Sequence, residues 1–489
     1  MKKRILSLTM ALVMALSLSL PAMAAEGETA GIAVQLNGAN IEFTDAAPIS
    51  KDNRTFLPAR AVFEAMGAEL AYDNATQTVT AKRDDVTLTM VVGSTDATIT
   101  VAGVTLPLTM DVAPFIQSDR TYVPVRFAAN AFGCNVGWDQ DDQTVILIDT
   151  AKVAAEAMAK HEYTWIEKYT AYTAKFNAGK WAMDGSFKGD VALNANSILN
   201  LDATMKGLVD GEKSGQITMT MNMDMTGLMN LVAAMTGTTV EEMGVTAADM
   251  KQSITMDTRV NLETGVIYML PDDNYCEMLG IEKGTWLSMD MSTMFASIDT
   301  ADMLTSTTTL SADLNDKDTA YQNAVAELDK YCAAISDEGF KKVTGGYSAT
   351  IDMVDGATTG SVTLVVSTNA KDEVTGYKMT ATANADMSEM KDLLGADAVA
   401  QMAALGLNVD TLKLNMTTAM DSANKSTMEL TIDLGNAASV KLSGDVKYTA
   451  STKTVETEPP AGSTVVDFFD LLYTSAEAAP AQPDVAPAA

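Results

Sequence analysis

The stretch Asp52-Asn53-Arg54-Thr55-Phe56-Leu57-Pro58-Ala59-Arg60 occurs a second time in the chain, as Ser118-Asp119-Arg120-Thr121-Tyr122-Val123-Pro124-Val125-Arg126. Corresponding positions of the two copies are 66 residues apart. The same offset joins six identical pairs over a longer unit: Pro48/Pro114, Arg54/Arg120, Pro58/Pro124, Arg60/Arg126, Gly67/Gly133 and Asp73/Asp139. The sequence therefore predicts a structural unit that is used twice.

Each copy predicts a short strand followed by a short helix. The threonine, aromatic and aliphatic residues before each proline suit a pleated strand. Pro58 and Pro124 are expected at the first helical position, where the missing N–H costs nothing. Gly67 and Gly133 are expected to end the helices in the left-handed conformation. Two further strands joined by a turn follow in each copy, which makes the unit a small α+β module.

The repeated arginines have two interpretations. Arg54, Arg60, Arg120 and Arg126 could hold a carboxylate ligand or a wall polymer through the planar guanidinium group. They could instead stabilise their own repeats against Asp73, Asp139 or backbone carbonyls. Recurrence at identical positions favours the structural interpretation, because both copies must solve the same folding problem.

Residues 32–150 resemble the copper amine oxidase-like N-terminal domain, also called a stalk domain. The resemblance implies a non-catalytic module that positions other domains, in exported proteins of Gram-positive-type bacteria. It does not imply an amine oxidase, because that enzyme binds copper through three histidines and this chain contains only His161. Its cofactor tyrosine lies in an Asn-Tyr-Asp/Glu sequence, and Asn274-Tyr275-Cys276 departs from that pattern.

The N-terminus has the form of a secretory signal peptide over residues 1–24. Lys2, Lys3 and Arg4 precede an apolar run, and Ala22-Met23-Ala24 has the form of a cleavage site. No later stretch carries the roughly 18 apolar residues of a membrane span. We therefore expect a secreted or cell-surface protein without an integral span after signal cleavage, and whether the wall retains it stays open.

The formal net charge of −31 argues against nucleic acid as a partner, because an acidic surface repels a polyanion. Three cysteines are too few for a disulfide scaffold. Cys134 is expected to be a small buried side chain. Pairing of Cys276 with Cys332 stays open.

Residues 151–180 predict a helical connector, and His161 within it is expected to be an ordinary surface residue. Residues 181–457 show alternating apolar and polar residues, which predicts a large antiparallel, curved β-sheet domain with helical insertions. Helices are expected near 228–250, 319–335 and 387–405. Residues 458–489 are expected to form a tail that is mostly disordered, after a short apolar piece. The fold class is thus α+β.

Four methionines, Met219, Met221, Met223 and Met225, alternate with polar residues and are predicted to share one sheet face. They could fill a core or line an apolar ligand face, since thioethers adapt to irregular ligands. A curved sheet with an apolar side resembles the lipoprotein-carrier architecture in pattern. Chelation of Cu(I) is disfavoured, because methionines at i and i+2 of a strand lie about 6.5 Å apart.

No cluster of residues predicts a catalytic, cofactor or metal site. Asp139-Gln140-Asp141-Asp142 lacks the later glycine and glutamate of a calcium loop. The sequence therefore predicts a non-catalytic protein in which a repeated stalk domain presents a β-rich binding or interaction domain. The alternative is a carrier of a lipid or another apolar small molecule, and cell-surface components are the other expected partners.

Overall fold

The structure is a computed structural model. It describes residues 31–52, 54–101, 104–211, 213–290, 313–355, 358–386, 411–435 and 437–471. The predicted signal peptide, the predicted helix at 387–405 and the end of the predicted tail lie outside these residues. The chain divides into two compact units, residues 1–170 with 292–356 and residues 171–291 with 357–489.

The described helices are α1 Ala59–Ala65, α2 Val125–Asn130, α3 Thr150–Met158, α4 Thr164–Asn177, α5 Thr226–Thr236, α6 Asp273–Leu279 and α7 Ala320–Ile335. The strands of the first part of the chain are β1 Ala33–Leu36, β2 Ala39–Asn40, β3 Ile49–Lys51, β4 Arg54–Pro58, β5 Glu69–Asp73, β6 Thr78–Arg83, β7 Val86–Val91, β8 Asp96–Val101, β9 Val104–Thr109, β10 Phe115–Gln117, β11 Arg120–Pro124, β12 Cys134–Asp139 and β13 Thr144–Asp149.

The later strands are β14 Lys180–Leu193, β15 Asn196–Asp210, β16 Ser214–Asp224, β17 Lys251–Asn261, β18 Val266–Pro271, β19 Trp286–Asp290, β20 Lys341–Val343, β21 Gly346–Asp355, β22 Thr358–Thr368, β23 Val374–Asp386, β24 Thr411–Met420, β25 Lys425–Asp433, β26 Ala438–Ala450 and β27 Val465–Asp467. Strands dominate the described residues, and the fold is α+β with a large curved sheet.

In the first unit, the two sequence copies adopt the same local structure. Strands β4 and β11 have equal length and start 66 residues apart, and each leads into a helix of two turns or less. They pair in antiparallel fashion with Leu57 opposite Val123, which are themselves equivalent positions. Equivalent residues therefore face each other where the two copies meet.

A shared core lies behind this pairing. Leu57, Val62, Phe63 and Val123 are fully buried, and the ring of Phe63 packs edge-on against Phe132 at 5.7 Å between centroids. The antiparallel meander β5–β9 and the sheet β12–β13–β1–β2 contribute further core residues. Strand β1 pairs in parallel with β13, so the first strand of the domain extends the sheet formed by β12 and β13 of the second copy.

Arg83 joins the two copies at a second pair of equivalent positions. Its guanidinium lies 2.8 Å from the carboxylate of Asp149, which is the residue 66 positions later. It also donates to the backbone carbonyls of Met66 and Phe132, again an equivalent pair, just beyond the ends of α1 and α2. Identical charges at 83 and 149 would repel, whereas the Arg–Asp pair stabilises the contact.

Arg54 and Arg120 form reciprocal ion pairs between the copies. Arg54 Nε lies 2.7 Å from Asp111, and Arg120 donates to Asp45, the residue equivalent to Asp111. This corrects the expectation that these arginines stabilise their own repeats. The reason is that β4 and β11 lie side by side, so each arginine reaches the carboxylate of the neighbouring copy.

The other repeated residues act locally. Pro58 and Pro124 end their strands and occupy the position before each helix, one residue earlier than expected. Gly67 and Gly133 have φ of +80° and +69°, the left-handed conformation. Asp73 and Asp139 accept hydrogen bonds from turn amides and do not pair with the arginines. Arg60 and Arg126 are exposed, and Arg60 is 3.9 Å from Glu64.

The region predicted as one helical connector contains two helices, α3 and α4. His161 lies between them and is not a surface residue: its side chain is 12% exposed, with Nε2 3.2 Å from Asp329 of α7. Helix α7, close to its predicted bounds, packs on α3 and β21 and groups with the first unit. Its apolar face (Ala324, Leu328, Cys332) therefore has a partner there.

In the second unit, twelve described strands follow one another in the order β22–β23–β24–β25–β26–β14–β15–β16–β17–β18–β19–β27. All neighbours among them are antiparallel except β19 and β27, which run in parallel. The short apolar piece of the predicted tail forms β27, because it pairs with β19. Cys134, Cys276 and Cys332 are all buried and free, so Cys276 and Cys332 do not form a disulfide.

Candidate functional site

The alternation in the second unit gathers apolar side chains on one face of the sheet, because residues opposite each other in neighbouring strands point to the same side. Met219 of β16 lies opposite Met205 of β15 and Met256 of β17. Met221 lies opposite Ala203 and Ile254. The methionines thus belong to rows that run across the strands.

One such row, which we call the apolar row, crosses eight strands with a single polar member at its end. From β23 to β17 it consists of Ala381, Met416, Leu430, Leu442, Gly189, Leu201, Met223 and Gln252. A sequence pattern within one strand cannot reveal this row, because its members come from distant segments whose register is fixed by strand pairing.

Helix α4 covers one end of the apolar face. The ring of Phe176 lies 5.0 Å from that of Trp181 and 6.0 Å from that of Tyr448. The hydroxyl of Tyr172 donates to the carbonyl of Thr375 at 3.1 Å. Burial raises the pKa of Tyr172 and of Tyr448, so both hydroxyls stay protonated. This end of the face is closed by aromatic residues.

Burial falls toward the other end of the face. Near the aromatic cluster Met183 and Met420 are less than a tenth exposed, and Val366 is fully buried. In the apolar row Met416, Leu430, Leu442, Leu201 and Met223 are all only half-buried. We call this part, from the apolar row to the strand ends beyond it, the open end of the face.

Glycine allows close packing within the apolar row. A β-carbon at Gly189 would lie 3.0 Å from Leu442 and 3.2 Å from Leu201, so both neighbours lean over the glycine. At Gly444 a β-carbon would meet the ring of Phe187 at 2.3 Å. Glycines of this kind permit strong local bending of a sheet. The isolated glycines within these alternating segments were the sequence signal for this feature.

The four predicted ligand-face methionines have unequal positions. Met219, Met221 and Met223 lie in β16 on the apolar face and are half-buried. Met225 lies just beyond the strand, at the residue that precedes α5, and its amide donates to the carbonyl of Met250. Leu201, Leu430 and Leu442 belong to the same surface and were not singled out in the sequence.

The side chains of the apolar face contribute packing contacts. Within the described residues, no three His, Cys, Asp or Glu side chains are grouped so that they could hold a metal ion. Burial raises the pKa of the Cys134 thiol to about 12, which leaves it unreactive at neutral pH. A half-buried apolar surface with methionines can bind apolar groups of varied shape.

The sequence family described as Copper amine oxidase N-terminal domain matches residues 35–147. The resemblance predicted for residues 32–150 is thereby confirmed, over less than a quarter of the chain. The match is to the N-terminal domain of these oxidases and does not extend to their catalytic domain. Comparison with curated proteins found no match. In the part of the chain that is described, no helix combines the length and apolar character of a membrane span.

Proposed function

We propose that this chain is a non-catalytic binding protein in which the repeated N-terminal domain serves as a scaffold and the large sheet binds the apolar part of a ligand. The observation that carries this proposal is the half-buried apolar row at the open end of the sheet. The ligand is a lipid or another hydrophobic small molecule, and the protein acts as its carrier.

The energetics favour an occupant of this surface. Each CH₂ group that a ligand buries contributes about 0.8 kcal/mol. An alkyl chain laid along the apolar row would contact Leu430, Leu442 and Leu201 in turn, since neighbouring strands are about 4.8 Å apart. Met416 and Met223, near the two ends of the row, can adjust their thioethers to its shape.

The repeated domain supports the scaffold role. Its two copies are joined by the Arg83–Asp149 pair and by the reciprocal pairs of Arg54 and Arg120. Its core residues Leu57, Val62 and Phe63 are completely buried. A domain with a closed core and ion pairs between its two copies is suited to hold another domain in place. We further propose that the two copies arose by duplication.

The N-terminal segment supports export. Its basic start, apolar run and Ala22-Met23-Ala24 form a secretory signal, so we propose a secreted or cell-surface protein of a Gram-positive-type bacterium. In that setting a carrier meets lipids and other envelope components.

An uncharged fluorescent probe, N-phenyl-1-naphthylamine, tests the binding function on the full-length mature protein. We expect saturable binding by the wild type and at least a tenfold loss of affinity in Leu201→Glu, because the carboxylate would be buried beneath the probe. Thr204→Glu is the matched control, since Thr204 is exposed on the opposite face of the same strand.

Native mass spectrometry of the secreted protein adds an independent measurement. Co-purifying lipid in the wild type, lost in Leu201→Glu, would support the carrier. A bare polypeptide together with no saturable probe binding would contradict it and favour an interaction module. Equal probe binding by Leu201→Glu and Thr204→Glu would show that the probe sits elsewhere and would also contradict the proposal.

A further inference from the structure

The opposite, polar face of the same sheet contains a groove of about 560 Å³ at the same end of the strands. Its floor is formed by β26, β14, β15, β16 and β17, where Gly189, Leu201, Met223 and Gln252 of the apolar row line it between the polar residues. Strand pairing places one row of five polar residues across it: Lys441, Asp190, Asn200, Asp224 and Lys251. Five strands span roughly 19 Å at about 4.8 Å per step.

A second polar row lies two residues further along the strands. Lys188 of β14 is directly opposite Asp202 of β15, and Asp202 is opposite Asn222 of β16. The two rows lie about 7 Å apart along the strands. The groove therefore presents ammonium, carboxylate and amide groups in alternation over its whole length.

The charges in the groove are balanced. Three lysines and three aspartates line it, whereas the whole chain has a formal net charge of −31. Hydrogen bonds from Thr226, together with Lys251, lower the pKa of Asp224 to about 2, so this carboxylate stays ionised at physiological pH. Lys251 lies 3.1 Å from Asp224. An anion would meet the aspartates and a cation the lysines, so neither is favoured.

Several groups in the groove remain able to bind a ligand. Within the described residues, Lys188, Lys441 and Asp202 form no ion pair or side-chain hydrogen bond, although Lys188 faces Asp202 across the strands. Asp190 accepts a hydrogen bond from Ser197 at 2.6 Å and keeps its second oxygen for another donor. Donors and acceptors are thus available side by side.

We infer that this groove binds an uncharged, hydroxyl-rich chain such as a neutral oligosaccharide. A hydroxyl group both donates and accepts, so one chain can donate to Asp202 and accept from Lys188 and Asn222. No aromatic residue lines the groove, so ring stacking does not contribute and the affinity is modest, with a dissociation constant on the order of 1 mM. The inference uses the polar side chains of the groove and does not require that the apolar face binds a ligand.

Saturation-transfer NMR with the full chain tests this, using cellohexaose and chitohexaose as uncharged probes. The double variant Lys188→Ala/Asp202→Ala is expected to weaken binding at least tenfold while leaving the net charge unchanged. The matched control is Asp184→Ala/Lys206→Ala, because this pair also lies directly opposite on β14 and β15 but outside the groove. We expect the control to bind like the wild type.

A charged probe sharpens the test. A hyaluronan hexasaccharide is expected to bind at least tenfold more weakly than the better neutral probe. Absence of binding by both neutral probes, stronger binding of hyaluronan, or equal losses in the two double variants would overturn the inference. The variant Lys441→Met, which keeps a side chain of similar length but removes its donors, keeps the test valid if the double variant does not fold. A thermal melt checks that this variant is folded, and unchanged binding by it would also overturn the inference.

Discussion

The two units of this protein use apolar residues in different ways. In the repeated domain, Leu57, Val62 and Phe63 are completely buried in a core enclosed by three small sheets and two short helices. In the large sheet, Leu201 and Leu442 stay half-buried although they belong to an apolar face of comparable regularity. A closed core stabilises a fold, whereas an open face leaves apolar surface for a ligand.

The difference follows from how each unit satisfies its backbone. Long antiparallel strands bond to each other along their whole length, so the sheet can persist while one face is covered only in part. The short strands of the repeats form few such bonds and depend on packing between copies. The edge-on contact between the rings of Phe63 and Phe132 is an example of this packing.

The largest effect is expected from Phe63→Ala. Removal of this fully buried ring should lower the free energy of unfolding of the repeated domain by about 4 kcal/mol, through lost burial and a residual cavity. The matched substitution Leu442→Ala, at the half-buried apolar row, should cost about 1 kcal/mol, a part of the cost of a fully buried leucine.

Hydrogen exchange measured by mass spectrometry separates the two units in one experiment. Phe63→Ala should raise exchange in β4, β11 and α1, and Leu442→Ala should leave those segments unchanged. If the two substitutions lowered the free energy of unfolding equally, the open end of the sheet would be packed as tightly as the repeat core. The proposed difference between the two units would then be wrong.

The next effect concerns one arginine of each unit, the half-buried Arg83 and the buried Arg259. Arg83→Met should cost about 3 kcal/mol, because Asp149 and two carbonyls would lose their donor. Arg259 of the sheet lies over the Trp286 ring at 4.8 Å and 2.8 Å from Glu456. Because Glu456 is largely exposed and the second carboxylate, Asp257, is 3.7 Å away, Arg259→Met should cost less. Chemical denaturation of both variants measures the order.

A double substitution provides the control for Arg83. Arg83→Met with Asp149→Asn should recover part of the loss, because the negative charge that Arg83 neutralised is removed while a side-chain oxygen remains to cap α3 at the Lys152 amide. An Arg83→Met protein as stable as the wild type would show that the contact between the copies does not need this ion pair.

The smallest effect is on acid stability. The guanidinium of Arg120 lowers the pKa of Asp45, and hydrogen bonds from Thr226 lower that of Asp224 to about 2. A carboxyl group whose pKa is lowered in the folded state stabilises it above the unfolded pKa of about 3.9 and loses that contribution as the pH falls. For Asp224 the loss is complete only below about pH 2.

Thermal melts between pH 5 and pH 2 of Asp45→Asn and Asp224→Asn test this. Each variant should melt below the wild type at pH 5, and the difference should shrink toward pH 2, where the lowered pKa values leave the wild-type carboxyl groups only partly protonated. A difference that persists unchanged to pH 2 would assign the loss to geometry and not to charge.

Local structure was largely accessible from the sequence. The copies predicted β4 with α1 and β11 with α2, and the predicted helix at 319–335 lies at α7. The region expected to be helical near 228–250 contains only α5, and its second half forms turns, where Thr239 and Thr246 each bond to an acidic residue three positions later. These reciprocal bonds have the form of helix N-caps, and the turn that begins at Thr239 ends at Gly244, whose φ of +74° stops a helix.

The ion-pair partners of the repeated arginines could not be predicted from the sequence. Arg54 reaches Asp111 and Arg120 reaches Asp45, because β4 pairs with β11 and not because of any local spacing. His161 was expected at the surface, and the packing of α7 leaves its side chain only 12% exposed, beside Asp329. Both results depend on contacts between residues far apart in the chain. The domain bounds drawn from composition stay a prediction.

The sequence by itself determined the two copies, the strand alternation and the sets of residues that share a face, because these follow from backbone periodicity and local turn chemistry. Only the tertiary structure decided which faces meet: that Arg83 pairs with its own equivalent Asp149, and that Leu201, Leu442 and Leu430 form one row. The physical reason is that strand register and neighbour order are set by non-local pairing, which no single segment encodes.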